Sequence, residues 1–302
     1  MNKLLFWFNY TRAYSLPMSV MAWSIPFAFG CFNKGNILYG IIALVGIICA
    51  HLGANLFDDI IDYKNYLKSK EKKSFVNLKK GKCQCFCDNS LTMKTAVKTT
   101  CLLFLIAIVV GLFFIKIYML PIILLMGITG VLALIYPIAG RIGLCETIIG
   151  TIFSPLLFTG VYYVMTATIS AKLLWLSFSF ALVTITLLHT DFFLDYTTDK
   201  KDGKKTFCTI SGSKNNAYYL YLFIIFLIFA SIFMGVHLKI FSVKYFLIFL
   251  AIPFALNSAK KLMKFIEKDI ENEKDFMSAM NATQSFIAIF SILCIVTFYL
   301  TR

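Results

Sequence analysis

Acidic residues are scarce in this sequence, and histidines scarcer still. Fifteen Asp and Glu stand against 29 Lys and Arg, with three His, in 302 residues. Charged residues make up only 15% of the chain, where soluble domains carry about a quarter. That shortage, with 59% hydrophobic residues and a mean hydropathy of +0.80, excludes a soluble globular fold. A zinc spacing is also missing. Most of the nine cysteines are scattered through apolar runs and read as small core residues. Cys83-Gln-Cys85-Phe-Cys87 is the exception, but C-x-C-x-C with no nearby histidine reads as a plain loop. Gly203-Lys204-Lys205-Thr206 has the ending of a P-loop without its upstream glycine or a preceding strand, which excludes a nucleotide fold. No low-complexity linker divides the chain, so residues 1–302 are expected to form a single domain.

What the sequence does contain is apolar runs near the roughly 20-residue length of a membrane span. They predict an all-α, polytopic membrane protein with nine transmembrane helices, at about 14–32, 36–57, 95–115, 118–136, 144–166, 173–191, 216–236, 243–258 and 282–300. The short apolar piece after Lys3 is interrupted by Arg12, too soon for a cleaved signal peptide, so the first span is expected to be retained. Of the 29 basic residues, 23 fall on one side of these spans. The positive-inside rule then places the N-terminus inside and the C-terminus outside, and the membrane expected is the cytoplasmic (inner) membrane of a bacterium. All fifteen acids lie on or near the inner face. The surrounding partner is membrane lipid; the net charge of +14 reflects topology and not nucleic acid.

Two acidic stretches dominate that face. Asn55-Leu-Phe-Asp58-Asp59-Ile-Ile-Asp62 closes span 2, and Asp191-Phe-Phe-Leu-Asp195-Tyr-Thr-Thr-Asp199 closes span 6. Read as helix, Asn55, Asp59 and Asp62 share one face, with Asp58 beside them; Asp191, Asp195 and Asp199 share another. Carboxylates crowded in this way repel, and positive charge must compensate. Mg2+, taking oxygen ligands and sharing its shell with substrate phosphates, is the natural candidate. Two such clusters facing each other would hold metal ions, with two Mg2+ expected, and through them a diphosphate. The motifs lie four spans apart, an even shift, so spans 1–4 and 5–8 fit parallel repeats around a central cavity, with span 9 added.

Basic residues accompany the acids. Lysines of the 64–82 loop, beginning with Lys64, set topology or touch anionic lipid. Lys204 and Lys205 follow the second cluster and suit phosphate as point charges. Tyr136-Pro137-Ile-Ala-Gly140-Arg141 ends span 4 on the same side, and Arg141 is either a phosphate-gripping guanidinium or a topology anchor. None of the histidines is assigned to catalysis. His51, one turn before Asn55, reads as a structural hydrogen-bonding residue; His189 lies off the face of the second cluster, and His237 falls on the outer side.

These residues resemble the UbiA superfamily of intramembrane prenyltransferases over nearly the whole chain. Asn55, Asp59 and Asp62 match its first motif, and Asp195, Asp199 and Gly203-Lys204-x-Thr206 its second. The resemblance implies nine transmembrane helices, catalytic Asn55, Asp59, Asp62, Asp195 and Asp199, and Mg2+ held by those acids with Asp58. It implies transfer from a polyprenyl diphosphate to an acceptor, often an aromatic ring. Arg12, Lys64, Tyr136, Arg141, Asp191, Lys204 and Lys205 are the substrate-binding candidates. Within the family the sequence looks most like the 1,4-dihydroxy-2-naphthoate prenyltransferases of menaquinone biosynthesis. The likeness lies in Arg12-Ala-Tyr-Ser15-Leu16-Pro17-Met-Ser19-Val20, in Asn55-Leu-x-x-Asp59-x-x-Asp62-Tyr63 and in Gly143-Leu144-Cys145-Glu146. It departs at Asp58, where that branch commonly has Asn, and at Asp191-Phe-Phe-Leu194-Asp195, where it has N-N-x-R-D. Other readings stay open: a related prenyltransferase acting on 4-hydroxybenzoate, haem or a lipid, or a cation-coupled transporter. A transporter wants its ionisable residues near the midplane; here they gather at span ends beside Lys and Arg.

Overall fold

A computed structural model describes residues 3–68, 86, 91–268 and 273–301. The Cys83/Cys85/Cys87 loop and most of the lysine-rich loop before it lie outside the described residues. The fold is all-helical, 86% helix, with no strand among the described residues. Nine of the described helices are long and apolar enough to cross a membrane: Ala13–Phe32, Ile37–Lys64, Met93–Tyr118, Leu120–Ala139, Cys145–Thr166, Ala171–Leu194, Lys214–His237, Val243–Met263 and Lys274–Leu300. They coincide with the nine expected runs to within several residues, because each run is bounded by the polar residues that cannot enter hydrocarbon. The sequence reading did not find α1, Lys3–Tyr10, a separate short helix ahead of the first span.

The described chain divides into two compact units. The first comprises Met1–Val20 and Ile41–Pro137. Its principal element is α3, Ile37–Lys68, of 32 residues (α2 being Leu16–Phe32). At 1.5 Å per residue α3 is about 48 Å long, against roughly 30 Å of hydrocarbon. The surplus turns at its C-terminal end carry the acids. Leu56, Ile60 and Tyr63 lie at i, i+4 and i+7 on the neighbouring face and pack with Tyr10, Phe86, Leu91 and Ala96. Phe86 stacks on Tyr63 at 5.0 Å and meets Tyr10 edge-on at 6.3 Å. That apolar seam fixes the rotation of α3, and with it the direction of Asn55, Asp59 and Asp62, about 100° away.

The second unit comprises Met21–Gly40 and Ile138–Arg302. Its central helix, Ala171–Leu194, packs against Cys145–Thr166, Lys214–His237 and Glu273–Leu300. Leu176, Phe180, Val183 and Phe193 are fully buried along it. Short polar contacts tie the same helices where no water would serve: Ser179 to Ser231 at 2.7 Å and Thr190 to Thr283 at 3.0 Å. His189 Nε2 meets the Ala217 carbonyl at 2.8 Å, so it donates there. The histidine is a core tie between two helices.

Candidate functional site

The first cluster is built by a reversal of chain direction at Arg12. Arg12 has φ 55° and ψ 39°, the left-handed region, costly for a branched or long L-residue. This single residue turns the chain from α1 into the Ala13–Ser15 turn and aims the guanidinium at α3. Its Nη1 lies 3.3 Å from Asp59 Oδ1 and 3.7 Å from Asp58 Oδ2. Asp59 is 4% exposed and Asp58 9%. Burial would favour the neutral guanidinium, but Asp59, Tyr14, Asp58 and Tyr136 outweigh it, and Arg12 is held above its ordinary pKa. It therefore stays charged and compensates the carboxylates. Asn55 and Asp62 are half-buried on the same helix, and Lys64 is exposed beyond them.

The second cluster departs from the expected single helix. The Ala171–Leu194 helix stops, Asp195 takes φ −93° and ψ 11°, and a new helix runs Tyr196–Lys201. The interruption costs little, because the Asp195 N–H still reaches Asp191 O at 3.0 Å and the Asp199 N–H reaches Asp195 O at 2.8 Å. It separates the three acids in environment. Asp191 and Asp195 are half-buried, while Asp199 is 1% exposed. Lys204 answers Asp199 twice, with its backbone N–H on Asp199 O at 2.9 Å and its Nζ 3.5 Å from Asp199 Oδ1. The same Nζ sits 4.2 Å over the Phe192 ring, a second attraction for the cation.

The Lys204 loop is held by backbone contacts to residues 140–146. The Lys205 N–H donates to Gly140 O at 2.6 Å, and the Phe207 N–H donates to Glu146 Oε1 at 2.7 Å. Gly143 has φ +82° and a Cβ there would stand 2.6 Å from Ile210 Cδ1, so both its backbone and its lack of a side chain are used. Thr206, the threonine of the G-K-x-T pattern, is an N-cap: its Oγ1 accepts from the Thr209 N–H at 3.2 Å, and Thr209 Oγ1 accepts from the Thr206 N–H at 2.8 Å. Lys200, Gly203, Lys204, Lys205, Thr209 and Ile210 line a crevice of about 270 Å³. Three ammonium groups there suit an anion. Arg141 and Lys205 are exposed, and Tyr136 half-buried.

The residue that sequence reasoning left without a role is Glu146. It is fully buried, with Oε1 on Phe207 and Oε2 without a hydrogen bond, and Lys204 and Asp199 are among its charged neighbours. The available signal was a lone acid at the start of an apolar span. Cys208 lies under the same group; burial, with Glu146, Asp199 and Asp191, pushes its thiol well up, against the pull of Lys204. It remains a thiol.

The donor chemistry fits Mg2+: carboxylate and carboxamide oxygens are the hard ligands it takes. Among the described residues no three His, Cys, Asp or Glu close on one point. Mg2+ does not require such a cage, since it keeps waters and takes substrate phosphates in its shell.

The model of the UbiA prenyltransferase family matches residues 16–283. No curated protein matches the sequence. Solved structures share the fold. A UbiA homologue from Archaeoglobus fulgidus, bound to DMAPP and Mg2+, has a TM-score of 0.69 at 12% identity, over 97% of this chain and 99% of that one. An apo UbiA homologue from Aeropyrum pernix K1 has a TM-score of 0.66 at 14% identity, over 91% and 97%. A structure described for digeranylgeranylglyceryl phosphate synthase has a TM-score of 0.65 at 16% identity, over 99% of each chain.

Proposed function

The chain belongs to the UbiA prenyltransferase family, and we propose that it transfers a polyprenyl group from a polyprenyl diphosphate to 1,4-dihydroxy-2-naphthoate, as one domain with Mg2+. The observation that carries the diphosphate half is the pairing of each buried acid cluster with its own cation, Asp58 and Asp59 with Arg12 and Asp199 with Lys204. Mg2+ on these acids would neutralise the diphosphate as it leaves. The chain's residues do the rest. Lys204, Lys205 and Arg141 meet negative charge growing on the departing oxygen. Arg12 keeps Asp58 and Asp59 together, and with Mg2+ on those carboxylates its guanidinium would be available to an anionic substrate. Aromatic faces and apolar walls shield an allylic cation from water until the electron-rich ring attacks. The charge asymmetry of the loops supports a cytoplasm-facing site in a bacterial inner membrane.

The naphthoate assignment is supported by the Arg12–Val20, Asn55–Tyr63 and Gly143–Glu146 patterns. One observation favours a second reading. Leu194, where the naphthoate branch has Arg, is 8% exposed and packs as core, so nothing at that position answers an acceptor carboxylate. A lipid acceptor, as the name of the digeranylgeranylglyceryl phosphate synthase implies for that enzyme, needs no such partner. Purified protein with Mg2+, a polyprenyl diphosphate and a panel of acceptors decides between them. The naphthoate should give a demethylmenaquinone-type product with CO₂ released in equal amount to pyrophosphate. Prenylation of 4-hydroxybenzoate or a glycerolipid in preference, without CO₂, would overturn the acceptor and leave the donor chemistry standing.

A further inference from the structure

Asn55 is the neutral member of the first cluster, and an amide has two unlike ends. Only Oδ1 can ligate a cation or accept a proton; the NH₂ end would repel the one and cannot do the other. The NH₂ end is held by residues at and just before the start of the first span. Asn55 Nδ2 is 3.0 Å from Ser15 Oγ and 3.5 Å from Thr11 O. Ser15 Oγ is itself 2.8 Å from the Arg12 carbonyl, which can only accept, so the single hydroxyl proton of Ser15 is committed there. Ser15 Oγ therefore presents lone pairs to its other neighbours. One lone pair takes the Asn55 amide, and the other faces His51 Nε2 at 3.1 Å.

The proton count then runs through the histidine. Nε2 must carry a hydrogen to meet an oxygen that can only accept. In the neutral ring Nδ1 is then an acceptor, and Ser19 Oγ, in close contact with it, donates. Ser19 is fully buried. Every hydrogen in this chain has one place, and reversing the Asn55 amide would set Oδ1 against two acceptors, Ser15 Oγ and Thr11 O.

We propose that Ser15, His51 and Ser19 are positioning residues, a relay that holds the Asn55 amide with Oδ1 turned to the cation and diphosphate. The relay rests on the reading of Asn55 as part of the first acidic site. It acts on metal affinity through Asn55, and outer partners of metal ligands typically change affinity by about ten- to a hundredfold.

The test is a thermal-shift titration of the purified full chain with Mg2+ in the presence of inorganic pyrophosphate, which needs no turnover. His51→Ala and Ser15→Ala should each raise the half-saturating Mg2+ concentration about tenfold or more. His51→Gln, whose amide hydrogen reaches Ser15 and whose carbonyl accepts from Ser19, should stay within about threefold of the parent. Ser15→Thr, which keeps the hydroxyl, should do likewise. Combined with Asn55→Ala, His51→Ala should add nothing. Normal Mg2+ titration by Asn55→Ala would overturn the reading of the first cluster and the relay with it. A defect in Asn55→Ala without one in Ser15→Ala and His51→Ala, or full additivity with Asn55→Ala, would overturn the relay alone. If His51→Ala does not fold, the Ser15→Ala and Ser15→Thr pair makes the same comparison.

Discussion

The first acidic cluster stands on one unbroken helix, and the second stands astride a break at Asp195. In the first, side chains do the holding: Arg12 from the preceding turn, the aromatic seam of Tyr10, Tyr63 and Phe86, and the Ser15–His51–Ser19 chain. In the second, backbone does much of it: Lys204 N–H on Asp199 O, Lys205 N–H on Gly140 O and Phe207 N–H on Glu146. The difference follows from where each cation sits in the chain. Arg12 is 47 residues from Asp59 and must arrive by tertiary packing. Lys204 is five residues past Asp199, and a tight loop with Gly203 at φ +68° suffices. One motif should be sensitive to side-chain identity and the other to loop geometry.

The largest effect should be shared by both. Asp59→Ala and Asp199→Ala should each lower turnover by at least about a hundredfold, because each removes a carboxylate that would hold the Mg2+ neutralising the leaving diphosphate. Steady-state assays with saturating prenyl diphosphate check it. Normal turnover in either variant would break the equivalence of the clusters and the prenyltransferase assignment of that motif.

Next comes stability, where the clusters should part. Arg12→Ala removes the guanidinium that answers two buried carboxylates and should destabilise by about 3 kcal/mol. Lys204→Ala withdraws the cation from one buried carboxylate instead of two and leaves the Lys204 N–H on the Asp199 carbonyl, so it should cost less, about 2 kcal/mol. Unfolding in mixed micelles measures both. Equal losses would mean that the second cluster depends on its cation as strongly as the first.

A smaller effect isolates the backbone stitch. Glu146→Ala takes the acceptor from the part-buried Phe207 N–H and should cost about 2 kcal/mol. Glu146→Gln keeps an acceptor at the same place and should recover most of it. If both variants lose the same stability, the carboxylate's charge matters and not its hydrogen bond.

The smallest concerns the two loop glycines. Gly143→Ala and Gly203→Ala each force a positive φ on a residue with a side chain, about 1 kcal/mol. Gly143→Ala should cost slightly more, since its Cβ also meets Ile210, whereas nothing lies near Gly203. Melting temperatures should fall in that order.

Much of this was legible without coordinates. The nine spans follow from hydropathy and from the polar residues that bound them, a local property of the chain. The nearness of Lys204 to Asp199 was legible because the two are close in sequence, but Lys204 was read for phosphate and its ion pair with Asp199 came from the structure. Arg12 was read as a substrate-binding candidate, and its engagement with Asp58 and Asp59 was not anticipated, because no local pattern records a contact across so many residues. The helix break at Asp195 was missed for a related reason: an i, i+4, i+8 spacing looks continuous, and no Gly or Pro marks the interruption. Glu146 was visible only as a letter in a motif.

What the sequence by itself determined is the solvent each segment can tolerate: apolar runs of membrane length, and acids and bases confined to their ends. Free energy of transfer is additive along the chain, so composition suffices to decide it. What only the tertiary structure decided is orientation within a segment. The rotation of α3, the end of Asn55 that faces the acids and the cation that answers each cluster depend on single contacts between distant residues. Such contacts hold because a buried polar group left unpaired is costly, and their partners are named by packing, not by spacing.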